Sequence, residues 1–530
     1  MPKVCTIFKR DYDRLNQKYE TTHKNFEEQR KKSRNLAAQV KRRDKALLKA
    51  EKKIESLNNK IKKISKKDSQ KNKSNSNLDD TEQLQQSLND KLNANKPKHY
   101  RYSLPCIFLF IRIYLTNSSG LRASQISVSI SLEMVLNDSH APHWKTCQSW
   151  VLKLGYYKLQ NIELDRKHDW IWIIDHSIQL GTEKCFIVLG MRKIDVPKDG
   201  TINKEDIKLL SMSFMQKSNG EVIEEILDDL SKQLGIVPRQ IISDEGSDLV
   251  KGVQLFKNKY KKILVTNDIK HKIANWYKAN IGNTDNWKTF VDKVNLTRSK
   301  IQQTALAALS PPKLRSKARF MNFPEMVKWA SKILAMLQAS NDLYELSLLQ
   351  QNFSWLLDFE HLINSWRQVV ADAMIVEDKL RRNHLTRYSA LSVEKAMGLP
   401  SKDTTDLAIK FRNDIEKFTT LQSVGVRDNE RLLMSTEIIE SVMSSLKSFS
   451  QQHTQSGFTK MALALPALIG GFTEDEINSA MLNVKNKDIN NWVKDNITQS
   501  VQSERNKTTN WYKKHLKIND KRWFRLLYAA

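Results

Sequence analysis

The chain has 530 residues, a formal net charge of +28 at pH 7 and 40% hydrophobic residues. This length can bury a sizeable core and supply several domains. So large a positive charge favours polyanionic partners, namely DNA, RNA or an anionic membrane surface. The longest apolar run, at 104–115, is too short to span a bilayer and contains Arg112, and the N-terminus lacks the apolar segment of a signal peptide. We therefore expect neither a membrane protein nor an exported one.

The cysteines indicate a reducing compartment. Cys5, Cys106, Cys147 and Cys185 are widely separated, without a CxxC spacing or a matching histidine pattern. Such spacing is typical of neither a zinc site nor a disulfide framework. We expect a cytoplasmic protein, associated with the nucleoid if DNA is its partner.

Residues 1–66 are predicted to form a coiled coil. From about residue 10 onward apolar residues follow an alternating three-four spacing without Gly or Pro, and the spacing is most regular in the second half. This pattern predicts a homo-oligomer, most simply a dimer, although the number of strands is not fixed. A solvated basic helix without a partner is the alternative.

Residues 67–98 are rich in Ser, Asn, Lys, Asp and Gln, a composition typical of a disordered linker. Residues 1–100 carry 27 Lys and Arg against 13 Asp and Glu, so half of the excess charge lies in this part. A basic arm of this kind gains non-specific DNA affinity by counterion release. A solubilising tail would have the same composition.

Residues 99–160 are predicted to form a helix-turn-helix domain. Two short helical patterns, at 121–137 and 143–154, flank a turn that contains Pro142. In such a motif the second helix lies in the major groove of DNA. Lys145, Thr146, Gln148 and Ser149 would then face DNA. A helical hairpin without a DNA contact remains open.

Two later strands each end on an aspartate. The buried strand pattern at 170–174 leads directly into Asp175, and a second one at 240–243 leads into Asp244. Residues 165–280 give three strands, a helix, a strand, a helix and a strand. Residues 281–430 then show only helical spacing, which predicts an all-α insertion.

A basic loop interrupts this insertion and a late helix follows it. The loop carries four cations suited to phosphate contact, although a charge-rich surface loop is the more ordinary interpretation: Lys313, Arg315, Lys317 and Arg319. Residues 431–450 form a helix whose apolar stripe leaves Glu440 on the neighbouring face. Residues 451–530 are predicted to be helical and basic.

Three carboxylates suit metal-dependent phosphodiester chemistry. Two Mg²⁺ or Mn²⁺ ions about 4 Å apart can activate an attacking oxygen and stabilise the leaving one. Hard cations prefer oxygen ligands, and two ions need about three carboxylates. Asp175 and Asp244, after neighbouring strands, and Glu440 are the candidates.

The sequence resembles bacterial insertion-sequence transposases of the DDE superfamily. The resemblance covers about 165–450 and lies in five stretches: WIIDH at 172–176, IISDEGSDL at 241–249, DIKHKIAN at 268–275, PPKLRSKARFMN at 311–322 and TEIIES at 436–441. It implies an α/β ribonuclease-H-like catalytic core, as in retroviral integrases, with a large all-α insertion. The expected fold is this core plus the N-terminal coiled coil and the helix-turn-helix domain.

The same resemblance implies roles for individual residues. Asp175, Asp244 and Glu440 occupy the places of the three metal-binding acids, and Lys447, seven residues after the glutamate, that of a phosphate-contacting lysine. Relatives with an interrupted core also carry an Arg four residues and a Tyr seven residues before the glutamate. This chain has Thr436 and Leu433 there, which leaves the route of second-strand cleavage open.

Two further acids compete for the third position. Glu437 shares a helix face with Glu440, and Asp268 follows another predicted strand. The adjacent His271 and Lys272 are expected to contact DNA or to pack.

The resemblance predicts a DNA transposase that binds the double-stranded ends of a mobile element and cuts and joins DNA with two Mg²⁺ or Mn²⁺ ions. A catalytically inactive, repressor-like DNA-binding protein and a nuclease or resolvase on the same fold are the alternatives.

Overall fold

A computed structural model describes eight segments: 95–117, 119–136, 142–180, 183–313, 320–339, 343–451, 458–497 and 501–515. The predicted coiled coil at 1–66, and the linker as far as residue 94, lie outside these segments.

In the described residues, three helices precede the sheet: α1 (Leu104–Asn117), α2 (Leu121–Leu136) and α3 (Trp144–Gln160). The third helix begins where His143 Nδ1 accepts a hydrogen bond from the Lys145 amide at 3.3 Å. A Cβ atom on Gly155 would lie 1.7 Å from the carbonyl oxygen of Leu463. Only glycine therefore allows α3 to pack this closely against the C-terminal part of the chain.

Five strands form a mixed sheet: β1 (Trp170–Leu180), β2 (Glu183–Arg192), β3 (Lys208–Met215), β4 (Gln240–Ser243) and β5 (Leu264–Asn267). Their order in the sheet is β3-β2-β1-β4-β5. The pairs β1–β2 and β2–β3 are antiparallel, whereas β1–β4 and β4–β5 are parallel. The central strand β1 is apolar on both faces because helices cover both.

One face of the sheet packs on α4 (Gly220–Leu234) and α5 (Ser247–Lys259). The side chains of Trp172 and Ile174 point to this face. Asn219 caps the start of α4 by accepting a hydrogen bond from the Val222 amide at 2.9 Å.

The other face, which includes Ile171 and Ile173, belongs to a larger hydrophobic core. This core contains residues of α1–α3, of α6 (Ile269–Tyr277), of the insertion and of the C-terminal helices. The predicted helix-turn-helix segment thus shares a core with the sheet, because Cys147, Trp150 and Leu154 of α3 belong to it.

The insertion is helical in its described residues, apart from one isolated bridge between Leu385 and Leu432. Its helices are α7 (Asp285–Ile301), α8 (Phe323–Ala339), α9 (Leu343–Phe353), α10 (Glu360–Asn383), α11 (Ser389–Met397) and α12 (Asp406–Ser423).

Five further helices complete the described chain: α13 (Glu437–Gln451), α14 (Ala464–Leu468), α15 (Glu474–Asn483), α16 (Asn486–Asn496) and α17 (Val501–His515). The chain is therefore a mixed α/β protein, compatible with the predicted α/β core and helical insertion. Within the described residues, each helix falls short of the length or the apolarity needed to cross a membrane.

Candidate active site

The sheet register places Asp175 and Asp244 side by side. Ile173 of β1 pairs with Ile242 of β4 in parallel register. Asp175 lies two residues beyond Ile173 on β1, and Asp244 lies two residues beyond Ile242, directly after β4 ends. Parallel neighbours run about 4.8 Å apart, so both carboxylates leave the sheet at the same level. Since alternate side chains share a face, both belong to the face of Ile173.

One detail of the sequence-based prediction is wrong. Asp175 does not end its strand, because β1 continues to Leu180 in antiparallel pairing with β2, where Asp175 faces Ile187. The pairing of β1 with β4, by contrast, extends only to Ile173. Asp175 thus lies where two paired strands separate, which opens a space at the edge of the parallel part of the sheet.

Helix α13 brings Glu440 to the same place. The helix packs against β1, with Ile439 and Val442 buried and Glu440 exposed. Buried hydrogen bonds fix the segment before it, since the Leu433 amide donates to Gln240 Oε1 at 2.9 Å and Gln240 Nε2 donates to the Leu433 carbonyl at 2.6 Å.

The electrostatics of Asp175 reflect this convergence. Burial, the carboxylate of Asp244 and, more weakly, that of Glu440 raise the pKa of Asp175 from its usual 3.8 to about 7. Opposing contributions come from the His176 backbone and the His271 side chain. Like charges close together disfavour the ionised form of each other. Asp244, and more weakly Glu440, are therefore near enough to Asp175 for their charges to act on it.

Asp268, the fourth acid, has a different function. Its buried carboxylate accepts hydrogen bonds from the Thr436 amide at 2.6 Å, from Thr436 Oγ1 at 2.9 Å and from the His271 amide at 2.8 Å. Burial alone would raise the pKa of Asp268, but these bonds outweigh it and the pKa lies below its usual value. Asp268 thereby joins the start of α6 to the start of α13.

His271 is the cation nearest to this acidic group. Its Nδ1 lies 3.1 Å from Asp268 Oδ1, and its Nε2 lies 4.0 Å from Glu440 Oε1. Burial lowers the pKa of His271, but the hydrogen bond to Asp268 and the charges of Asp268, Asp244 and Glu440 outweigh it and leave the pKa raised. Sequence reasoning missed this arrangement. The three-residue spacing of Asp268 and His271, typical of a helix N-cap, was the available signal.

The competing acid Glu437 is already paired. Its two oxygens lie 3.4 Å from Lys270 Nζ and 3.1 Å from an Arg381 guanidinium nitrogen. Glu440, by contrast, is 47% exposed, and its nearest ion-pair partner in the described residues is His271 at 4.0 Å. Of the two glutamates, Glu440 is therefore the one whose carboxylate oxygens are available to another ligand.

Asp248, four residues after Asp244, lies on the opposite face of the sheet. His176 follows Asp175 and therefore points the other way, where its Nε2 lies 3.0 Å from Asp248 Oδ2 and 2.8 Å from Ser218 Oγ. Asp248 at the start of α5 is thus paired with His176 behind β1.

The residues predicted to contact DNA outside α3 are dispersed. Lys447 and Lys313 are exposed, whereas Lys272 is paired with Glu245 at 3.0 Å. Three members of the basic loop lie outside the described residues: Arg315, Lys317 and Arg319.

Helix α3 lacks the open face of a recognition helix. Lys145 and Thr146 are exposed, but no residue from 147 to 159 is. Gln148 Nε2 lies 3.3 Å from Met461 Sδ, and Ser149 Oγ donates to Asn486 Oδ1 at 2.9 Å. A helix lying in the major groove needs exposed residues over its first turns. Gln148 and Ser149 are half-buried and contact the C-terminal part of the protein, and their contact with DNA stays a prediction.

Asp175, Asp244 and Glu440 offer carboxylate oxygens, which are the ligands that a hard divalent cation prefers. Within the described part of the chain, however, no group of three or more His, Cys, Asp or Glu side chains is arranged so that it could hold a metal ion. The three carboxylates repel one another, which favours a larger distance between them. To bind a metal ion together, they would have to move closer to one another.

Compared with models of known protein families and with curated proteins, the chain matches none of them. Its function has to be inferred from the residues and their arrangement.

Proposed function

We propose that this protein is a DNA transposase of the DDE superfamily with a ribonuclease-H-like core. The observation that carries the proposal is the position of Asp175 beside Asp244 where the parallel pairing of β1 and β4 ends, with Glu440 near enough to contribute to the raised pKa of Asp175. The sheet order β3-β2-β1-β4-β5 supports it. In that superfamily the first acid lies on the first strand, the second just after the fourth and the third on a late helix.

The reaction would proceed in two steps. In the first, water attacks a phosphorus atom at the end of the mobile DNA, the bond to the 3′ oxygen breaks, and a 3′-hydroxyl and a 5′-phosphate are left. In the second, this 3′-hydroxyl attacks a target phosphodiester, loses its proton and displaces the target's own 3′ oxygen, which takes up a proton. Bound Mg²⁺ or Mn²⁺ would lower the barrier by activating the attacking oxygen and stabilising the leaving one.

The side chains have distinct functions in this proposal. Asp175, Asp244 and Glu440 would hold the cations, and their unbalanced charge provides the affinity. Asp268 fixes the helix that carries Glu440, and His271 lies beside the acids as a hydrogen-bond donor. Lys447, exposed on α13 seven residues beyond Glu440, would contact a phosphate near the cut.

The proposed partners are double-stranded DNA, as element ends and as target, and further copies of this chain. The net charge of +28 favours the first. The second depends on the heptad pattern of residues 1–66, a dimer being the simplest assembly.

A catalytically inactive DNA-binding protein derived from a transposase is the second candidate. The observation in its favour is that no described group of acids and histidines is arranged to hold a metal ion. Such a protein would keep its affinity for DNA and fail to cut it under any condition.

The test uses the full chain and a plasmid that carries its gene with the flanking DNA, with Mg²⁺, Mn²⁺ or EDTA. The proposal expects metal-dependent nicking at the element ends and joining of the new 3′ ends to a second plasmid. Cleavage without joining would indicate a nuclease or resolvase, and binding without cleavage would indicate the inactive protein.

Variants locate the activity. Asp175→Asn, Asp244→Asn and Glu440→Gln should each abolish cleavage while DNA binding in EDTA stays nearly unchanged. Glu437→Gln is the matched control, since it makes the same change three residues away on the same helix and should remain active. Loss of activity in Glu437→Gln with retention in Glu440→Gln would move the third carboxylate to Glu437.

A further inference from the structure

A basic groove lies where the segment before α1, the start of α3 and the α15–α16 connection meet. It encloses about 650 Å³. Its lining includes four Lys and Arg residues and two histidines but, among the described residues, no Asp or Glu: Lys98, Arg101, Lys153, Lys485, His99 and His143. Positive charge of one sign concentrated in a concave surface focuses the field on an anionic ligand.

Three cations at the rim of the groove are open to solvent. Lys98, Arg101 and Lys485 are exposed, and none of them forms an ion pair with another described residue. By contrast, many cations elsewhere are paired, as Lys272 is with Glu245. Three cations that line one cavity favour the binding of an anion there.

Aromatic side chains form the floor of the groove and hold it in one shape. Lys153 Nζ donates to Tyr100 Oη at 2.6 Å and lies 5.2 Å from the centre of that ring, while Tyr100 Oη donates to the Met481 carbonyl at 2.9 Å. Tyr102 packs edge-on against Trp150 with ring centres 5.6 Å apart. The groove is therefore built before any ligand arrives, which reduces the entropy lost on binding.

The backbone reinforces this interpretation. Helices α3 and α16 both begin at the groove, at Trp144 and Asn486, and helix N-termini carry partial positive charge. His99 at the rim has a φ of +70°, a conformation that non-glycine residues adopt rarely and at an energetic cost.

We propose that this groove binds the phosphodiester backbone of DNA. Repeated phosphates match several separated cations, and the buried sides of α3 leave no face for reading bases in the major groove. The region predicted to be a recognition helix would thus position DNA through its phosphates, with Lys145 and Thr146 at the edge of the contact. This binding does not depend on catalysis and would also exist in an inactive protein.

The experiment measures binding of a fluorescein-labelled 30-base-pair duplex by anisotropy in EDTA, with the full chain, between 50 and 300 mM NaCl. The variant carries Lys98→Gln, Arg101→Gln and Lys485→Gln. The matched control carries Lys395→Gln, Lys402→Gln and Lys417→Gln, which remove the same charge from exposed positions of the insertion. Each phosphate contact contributes about 0.9 to the slope of log K against log salt.

The groove variant should lower this slope by about 2–3 and weaken binding at 100 mM NaCl at least tenfold, while the control changes both far less. Equal losses in the two variants would overturn the proposal, because net charge alone would then explain them. Competition by polyglutamate or by phosphatidylserine vesicles as strong as that by DNA, at equal charge, would overturn the assignment to nucleic acid.

Two further measurements separate other causes of failure. Arg101→Lys keeps the charge and should retain the slope, and thermal unfolding should show that the triple variant is folded. The variant Asp175→Asn should bind like the wild type. Groove-dependent binding without any cleavage would refute the proposed catalysis and leave the groove proposal intact. Cleavage with binding that is independent of the groove would refute the groove proposal and leave the catalysis intact.

Discussion

Replacing Asp175 by Asn should make the protein more stable at neutral pH while abolishing the proposed activity. The carboxyl is partly buried beside Asp244 and Glu440, and its pKa is raised from 3.8 to about 7. The amide of Asn has nearly the same shape and no charge. The substitution therefore removes the repulsion but leaves the packing of β1 unchanged.

The magnitude follows from linkage. The folded state holds the Asp175 proton more tightly than the unfolded state, so the free energy of unfolding decreases as pH rises from about 4 to about 7. A shift of about 3 pKa units corresponds to at most about 4 kcal/mol, and solvent screening reduces this to roughly 1–4 kcal/mol. The Asn variant lacks this term, so its advantage should be absent near pH 4 and complete above pH 7.

Urea unfolding at pH 4.5 and pH 8 in EDTA, followed by tryptophan fluorescence, tests this expectation. Asp248→Asn is the matched control on the opposite face of the same sheet. Burial raises the pKa of Asp248, but its bonds to Ser218, His176 and the Leu249 amide outweigh it and the pKa is lowered. That variant should be destabilised at pH 8. A stability difference for Asp175→Asn that is independent of pH, or of the opposite sign, would refute the reasoning.

Adding Mg²⁺ extends the same experiment. A cation that binds only the folded state stabilises it by RT ln(1 + [L]/Kd), about 2.7 kcal/mol at a hundredfold excess over Kd. The wild type should gain this stability at pH 8, and Asp175→Asn should gain much less. Equal gains would show that Mg²⁺ binds elsewhere.

Two other buried acids should behave in the opposite way. Asp268→Asn weakens the bonds to Thr436 and His271 and should cost about 1–3 kcal/mol at pH 7 in urea unfolding. Because the pKa of Asp268 is lowered, this contribution exists above its usual pKa and is lost as pH falls through the lower folded value. Glu430→Gln leaves the buried Arg239, now 2.7 Å from a Glu430 oxygen, without its partner and should cost about 3–5 kcal/mol at pH 7. Burial raises the pKa of Glu430, but Arg239 and the other partners of Glu430 lower it to about 2. The contribution of Glu430 to the free energy of unfolding should therefore fade between about pH 4.5 and pH 2. A destabilisation of Glu430→Gln that persists unchanged at pH 2 would contradict this expectation.

The sheet was predictable because its signal is local. The apolar runs at 170–174 and 240–243 are short, rich in Ile and Trp, and lead into an acid. Short apolar runs rich in Ile and Trp favour buried strands. The neighbouring positions of Asp175 and Asp244 then depend on parallel pairing of β1 with β4, and the chain between them is long enough to cross over.

Other features were not predictable, because they depend on residues far apart in the chain. The exposed start of α3 has the polar and basic residues of a recognition helix, but Met461 and Asn486 cover Gln148 and Ser149. A local sequence pattern cannot predict a side-chain contact with a residue more than 300 positions away. The extension of β1 beyond Asp175 depends likewise on pairing with β2, which outweighs the charged residue in the strand.

The buried polar groups around α13 can be understood from the same electrostatics. Glu440 must approach two acids of like charge at the end of a long insertion, and both the repulsion and the closure of the insertion oppose this. Three sets of buried hydrogen bonds act against them, from Arg239 to Glu430, from Gln240 to the Leu433 backbone and from Thr436 to Asp268. All three join the segment before α13 to β4 or to the start of α6. An acidic centre that is unfavourable by itself is therefore held by the scaffold, which is the arrangement expected where a cation later supplies the missing charge.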